Sequence, residues 1–133
     1  MIAAWLDTNV VVRFLADEPP AMARRAERLL ARAQAGGIAF RLTPIVVAEI
    51  VWVLRTIYQR EPGEIAAGLS ALLRADGIYT DQRDTLLEAL DLMVRKRVAF
   101  PDAFVTVSAR QANEPVCTFD TDLKRLGAEI LAS

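Results

Sequence analysis

The sequence contains no histidine and a single cysteine, Cys117. The missing histidine excludes a Ser-His-Asp triad, a Cys-His pair, imidazole acid–base catalysis and a histidine-ligated zinc site. One cysteine cannot form an intrachain disulfide or a multi-cysteine zinc site, and a free thiol without disulfides fits a reducing, cytoplasmic compartment. No stretch is long and apolar enough to span a bilayer: the longest, Ile45 to Leu54, is interrupted by Glu49. The first residues have no basic region of the kind that opens a secretory signal, and their apolar run ends at Asp7. Excess positive charge is absent too. The net charge of −1 argues against binding nucleic acid through bulk electrostatics.

What is present is carboxylate and apolar surface. The 133 residues include nine Asp and eight Glu, hard oxygen donors suited to magnesium or manganese. The apolar fraction of 53% is high enough to suggest surface in excess of one core's needs. Fourteen of the sixteen basic residues are Arg. Arg24, Arg28 and Arg32 form a stripe at helical spacing. It reads either as an RNA-backbone track or as a solvated face compensating Glu27. Arg95-Lys96-Arg97 falls at a helix C-terminus, where cations complement the dipole.

The pattern predicts strands interleaved with helices. Ile2 to Leu6 reads as a strand buried on both faces, and further short strands are expected at Ile38–Leu42, Ile78–Tyr79, Val116–Phe119 and Glu129–Leu131. Cys117 is expected to be buried in the fourth of these. Helices are expected over Asn9–Ala16, Pro20–Ala35 (ended by Gly36-Gly37), Pro44–Tyr58 (capped by Thr43), Pro62–Ala75, Asp84–Arg97 and Pro101–Asn113, with a last one after Asp120. Thr85-x-x-Glu88 reads as a capping box for the fifth. This is an α/β chain with a mostly parallel sheet and about seven helices, one domain over residues 1–133.

Four acids stand in unusual places. Asp7 ends the first strand, where α/β sheets gather ligands, although it is also well placed to cap the next helix. Glu49 lies among Ile45, Val46, Trp52 and Val53 in a helix apolar almost all round. A carboxylate buried there needs a cation, a salt bridge, for which Arg13 and Arg55 are candidates, or a narrow polar window to solvent. Asp102 heads the sixth helix, a position also favoured by the helix dipole. Asp120 follows Phe119 as Asp7 follows Leu6, and it too can cap a helix; Asp122 is a possible fifth acid. If these acids converge, two charges about 5 Å apart at an effective dielectric of about 20 repel by roughly 3 kcal/mol. Divalent cations would relieve that repulsion.

These segments resemble one family. Leu6-Asp7-Thr8-Asn9-Val10, Val47-Ala48-Glu49-Ile50, Pro101-Asp102-Ala103 and Thr118-Phe119-Asp120-Thr121-Asp122 are similar, in order and approximate spacing, to PIN-domain ribonucleases, in particular VapC-type toxins of type II toxin–antitoxin pairs. The resemblance implies a PIN-like α/β/α sandwich and hydrolysis of RNA phosphodiesters with one or two magnesium or manganese ions. It implies that Asp7, Glu49, Asp102 and Asp120 are the catalytic and metal-binding acids, with Asp7 and Asp102 the first choice for direct ligands. Thr8, Asn9, Thr118 and Asp122 would support them. It also implies a homodimer formed near the third helix, where Trp52, Ile57 and Tyr58 add apolar surface, and a cognate antitoxin that blocks the site. Two other readings stay open: a magnesium-dependent phosphoaspartate receiver or phosphatase-like domain, and an inactive PIN-like interaction module.

Overall fold

A computed structural model describes residues 1–131 of the chain, which divides into two compact units, Met1–Asp81 and Gln82–Ser133. The first unit carries β1 (Ile2–Trp5), α1 (Thr8–Ala16), α2 (Pro20–Gln34), β2 (Ile38–Arg41), α3 (Pro44–Thr56), α4 (Pro62–Arg74) and β3 (Ile78–Tyr79). Its sheet is parallel throughout, in the order β1-β2-β3. Ala4, Phe40 and Ile78 share one row across the strands, and Trp5, Arg41 and Tyr79 share the next. Alternation therefore sends these rows to opposite faces.

The core of this unit forms where strand and helix periodicities coincide. Phe40, Leu42 and Ile78 are buried, together with Val11 and Val12 of α1, Val47, Ile50 and Leu54 of α3, and Leu69 and Leu73 of α4. Each such side chain contributes about 1.5–3 kcal/mol relative to exposure. Gly77 makes one close approach possible. It sits at φ +85°, and a Cβ there would lie 2.4 Å from the Ala33 carbonyl oxygen on α2. Only glycine accepts both the left-handed backbone and the contact.

The second unit carries α5 (Arg83–Lys96), α6 (Phe100–Ala112) and the short α7 (Asp122–Arg125). Helices α5 and α6 pack together and bury Leu86, Ala89, Leu90 and Met93 on one side and Ala103, Thr106 and Val107 on the other. The Phe100 and Phe104 rings stack with centroids 6.0 Å apart. Arg125 Nη1 donates to the Lys96 carbonyl at 2.9 Å and ties α7 to the end of α5.

The α/β class, the parallel sheet and the seven helices among the described residues agree with the α/β/α sandwich expected from the sequence. Prolines account for much of this: Pro20, Pro44, Pro62 and Pro101 each occupy the first or second position of a helix, where their missing N–H is not needed. Thr43 caps α3, its Oγ1 accepting from the Val46 N–H at 3.3 Å.

Several expectations are corrected. Strand β1 is not buried on both faces, since Ile2, Ala3 and Trp5 are exposed. The strands expected at Val116–Phe119 and Glu129–Leu131 reduce to one parallel bridge, Val116 with Ile130. Two hydrogen bonds make it, Val116 N–H to Glu129 O and Leu131 N–H to Val116 O. With no longer ladder to join, Cys117 is exposed rather than buried. The capping box fails as well. Helix α5 begins at Arg83 with Gln82 at the cap, so Thr85 lies inside the first turn and its hydroxyl pairs with Gln111 Oε1.

Candidate functional site

Asp7 holds the N-cap position of α1 in extended backbone (φ −95°, ψ 156°), yet its carboxylate makes no capping hydrogen bond. Thr43 has almost the same backbone before α3 and does cap. The purely structural role open to Asp7 is thus not taken. Its side chain is exposed and has no ion pair among the described residues. Thr8 beside it is buried, the first residue of α1, and Asn9 is exposed.

Glu49 departs from expectation. It is exposed, not buried, and neither Arg13 nor Arg55 pairs with it. Only the stripe of Val47, Ile50, Val51 and Leu54 faces the core. The opposite side of α3 carries Ile45, Glu49 and Trp52 to solvent, with Ile45 79% and Trp52 61% exposed. An apolar composition all round a helix had suggested burial all round. The packing covers one stripe only, so Glu49 carries no desolvation cost and needs no counter-charge. Arg13 instead donates from Nη1 to the Tyr58 hydroxyl at 2.9 Å.

In the second unit, Asp102 lies in the first turn of α6, half-buried and without a hydrogen bond or ion pair among the described residues. One turn further along the same helix, the Thr106 hydroxyl is fully buried and has no partner among the described residues. Asp120 is exposed and engaged locally. Its Oδ1 accepts from the Asp122 N–H at 2.9 Å, and its own N–H donates to Thr118 Oγ1 at 3.0 Å. Asp122 is committed to Arg125, which grips both of its oxygens through Nε and Nη2. That guanidinium hydrogen bond holds the Asp122 carboxyl below the ordinary range.

The four acids therefore come in two pairs, Asp7 and Glu49 on the first unit and Asp102 and Asp120 on the second. Among the described residues no group of three or more His, Cys, Asp or Glu side chains lies in a metal-holding arrangement. The donor chemistry nevertheless suits a hard divalent ion. Asp7, Glu49 and Asp102 are carboxylates that no arginine or lysine neutralises among the described residues, and the chain has no histidine to compete with them. A cavity of about 210 Å³ in the first unit, lined by Leu15, Leu54, Arg60, Glu64, Ile65 and Gly68, includes none of the four.

The structure adds one feature that periodicity alone did not signal. Arg41 lies over the Trp5 ring, 5.9 Å from its centroid, and both side chains are exposed. Tyr79, next in the same row, is also exposed. The sequence held a partial clue, since Trp5 stands two residues before Asp7 and so on the same side of an extended chain. The basic stripe of α2 is partly compensated, because Arg24 pairs with Asp17 and Glu27.

The PIN domain family model matches residues 4–129, nearly the whole chain. No curated protein and no solved structure matches it. Among the described residues no helix is long and apolar enough to cross a membrane.

Proposed function

The chain belongs to the PIN-domain family, whose members are in general metal-dependent nucleases, and on that footing we propose that it is a magnesium- or manganese-dependent endoribonuclease, the toxin of a VapC-type toxin–antitoxin pair. The observation that carries the reading is the family match through all four acidic segments, together with an Asp7 carboxylate left out of the capping bond its position offers. In this reading residues 1–133 act as one domain in the cytoplasm. Asp7 and Asp102 hold the ion directly, and Glu49 and Asp120 complete its shell or orient water, supported by Thr8, Asn9, Thr118 and Asp122. What one or two divalent ions supply at such a site is a nucleophile at neutral pH without histidine and compensation for charge developing on the phosphodiester. The acids present neutral or negative oxygen only, so the substrate is attracted locally by the cation and not by the chain's net charge of −1.

Two partners belong to the proposal. A second copy would cover the exposed apolar side of α3, where Ile45, Trp52 and Ile57 stand in solvent. An antitoxin would lay an apolar segment on the toxin and direct a basic residue at the acids. Cleavage of a defined RNA in magnesium or manganese is the test. Activity is expected to vanish with EDTA and in Asp7→Asn and Asp102→Asn. Cleavage that survives EDTA, or variants as active as the parent, would overturn the mechanism.

A further inference from the structure

We propose that Arg25, Arg28 and Arg32 on the outward side of α2 form a track for the phosphates of single-stranded RNA, holding the substrate away from the bond that is cut. The proposal rests on the ribonuclease reading for its substrate, while its evidence lies in α2 itself. Helix α2 packs on α1 and β2, all within the first unit, and buries Ala23, Ala26 and Ala33 in doing so. At about 100° per residue, Arg25, Arg28 and Arg32 fall within an arc of about 60° on the opposite side of the helix. All three are exposed. The outward side of a helix is also the side that an α/β/α sandwich leaves to solvent.

Nothing answers the charge of this row. Elsewhere an acid three or four residues away meets the arginine: Glu64 for Arg60, Asp91 for Arg95 and Asp122 for Arg125. The only acid of α2 is Glu27, and Arg24 holds it together with Asp17. Three and four residues to either side of Arg25, Arg28 and Arg32 the chain offers Ala, Met, Leu, Gly or another Arg, never an acid. The lack of compensation is thus written in the sequence and does not depend on rotamers, and none of the three has an ion pair among the described residues. Like charges at this spacing weaken a helix, and a polyanion laid along the row removes the repulsion. The three positions climb about 4.5 Å and then about 6 Å along the axis, so their planar forks reach successive phosphates of one strand. Helix α2 has no aromatic residue, so the track grips backbone and leaves base sequence unread. Position completes the argument. Gly37, three residues past the end of α2, accepts from the Ile2 N–H at 3.2 Å, so α2 ends where β1 begins. Asp7 lies past the other end of β1, roughly 16 Å further along extended chain. The track therefore meets nucleotides flanking the cleaved bond, and it favours long RNA over short.

The test is binding in EDTA, which keeps the RNA whole. Affinities for polyuridylate and for tetrauridylate are measured across a salt series, with the parent and with Arg25→Gln, Arg28→Gln and Arg32→Gln combined. The parent should prefer polyuridylate, and the triple variant should lose most of that preference. Its slope of log affinity against log salt should fall by about 2, at about 0.7 per phosphate contact to a single strand. At low salt its affinity for polyuridylate should be about tenfold to a hundredfold weaker. Lysine at all three positions should restore most of the slope. Arg24→Gln, which removes a cation already paired, should hardly change it. Because the substitutions relieve like-charge repulsion, the triple variant should melt no lower than the parent. A clear drop in melting temperature would mark the row as structural and overturn the track. Equal slopes in parent and triple variant would overturn it as well. So would polyglutamate bound as tightly as polyuridylate, which would mark an acidic protein segment as the ligand. The two readings fail differently. Binding through the row without cleavage in magnesium or manganese would sink the nuclease alone, and cleavage of a long RNA with the same KM in the triple variant would sink the track alone.

Discussion

Asp7 and Asp120 stand in nearly the same words of sequence, Leu6-Asp7-Thr8-Asn9 and Phe119-Asp120-Thr121-Asp122, and they are built in different ways. Asp7 leaves a strand whose backbone is pinned by β2: the Leu6 N–H donates to Arg41 O, and α1 continues for nine residues behind it. The sheet and the helix fix the chain, and the carboxylate is left over. Asp120 leaves a single bridge and precedes a helix of four residues, so the local turn is held by its own side chain on the Asp122 N–H. One acid is positioned by its surroundings; the other positions them. Chemistry therefore has a spare group at Asp7 and a shared one at Asp120.

Substitution separates these roles. Asp7→Asn should reduce RNA cleavage by about a hundredfold or more, through loss of a charge worth several kcal/mol at a cation. Its melting temperature should hardly move, because no hydrogen bond is lost; a large drop would mean that Asp7 is structural after all. Asp120 should divide by replacement. Asp120→Asn keeps an oxygen for the Asp122 N–H, so its loss of activity, about tenfold to a hundredfold, should come without unfolding of the turn. Asp120→Ala removes that oxygen and should cost a further ~0.5–2 kcal/mol of stability, measured by denaturant titration. Equal stability of the two would erase the contrast with Asp7. The smallest effect belongs to Asp122. Its carboxyl is held low in the folded chain, so the unfolded chain binds its proton first as pH falls. The pair's contribution is complete above the ordinary carboxylate value of about 3.9 and fades as pH drops through the lowered one. In an acid titration of stability, Asp122→Asn should differ slightly from the parent above about 3.9, and the difference should fade to nothing as pH falls through the lowered value. The exposure of the pair keeps the difference small.

The same contrast explains how much of the molecule its sequence revealed. Helix starts were legible because proline acts locally: Pro44 and Pro62 mark their helices without reference to anything distant. Acid positions were legible for the same reason, as ends of short runs. Burial was not. Glu49 sits among apolar residues in the chain, but which side of α3 is covered depends on what packs there. Val116–Phe119 has a strand's composition, yet a strand exists only when a partner offers a ladder, and Val116 finds a single bridge. Trp5 shows both limits. Its place beside Asp7 could be read from spacing, while its contact with Arg41 required the register of β1 on β2.

The contact of Gly77 with Ala33 has a practical consequence for selection experiments. At position 77 every side chain meets a backbone oxygen, so a library varied there keeps glycine whatever property is selected, be it yield, binding or cleavage. At Asp7 a selection for soluble protein should accept many residues and a selection for cleavage very few. Varied together, the two positions form an internal standard, one reporting whether the chain has folded and the other whether it works.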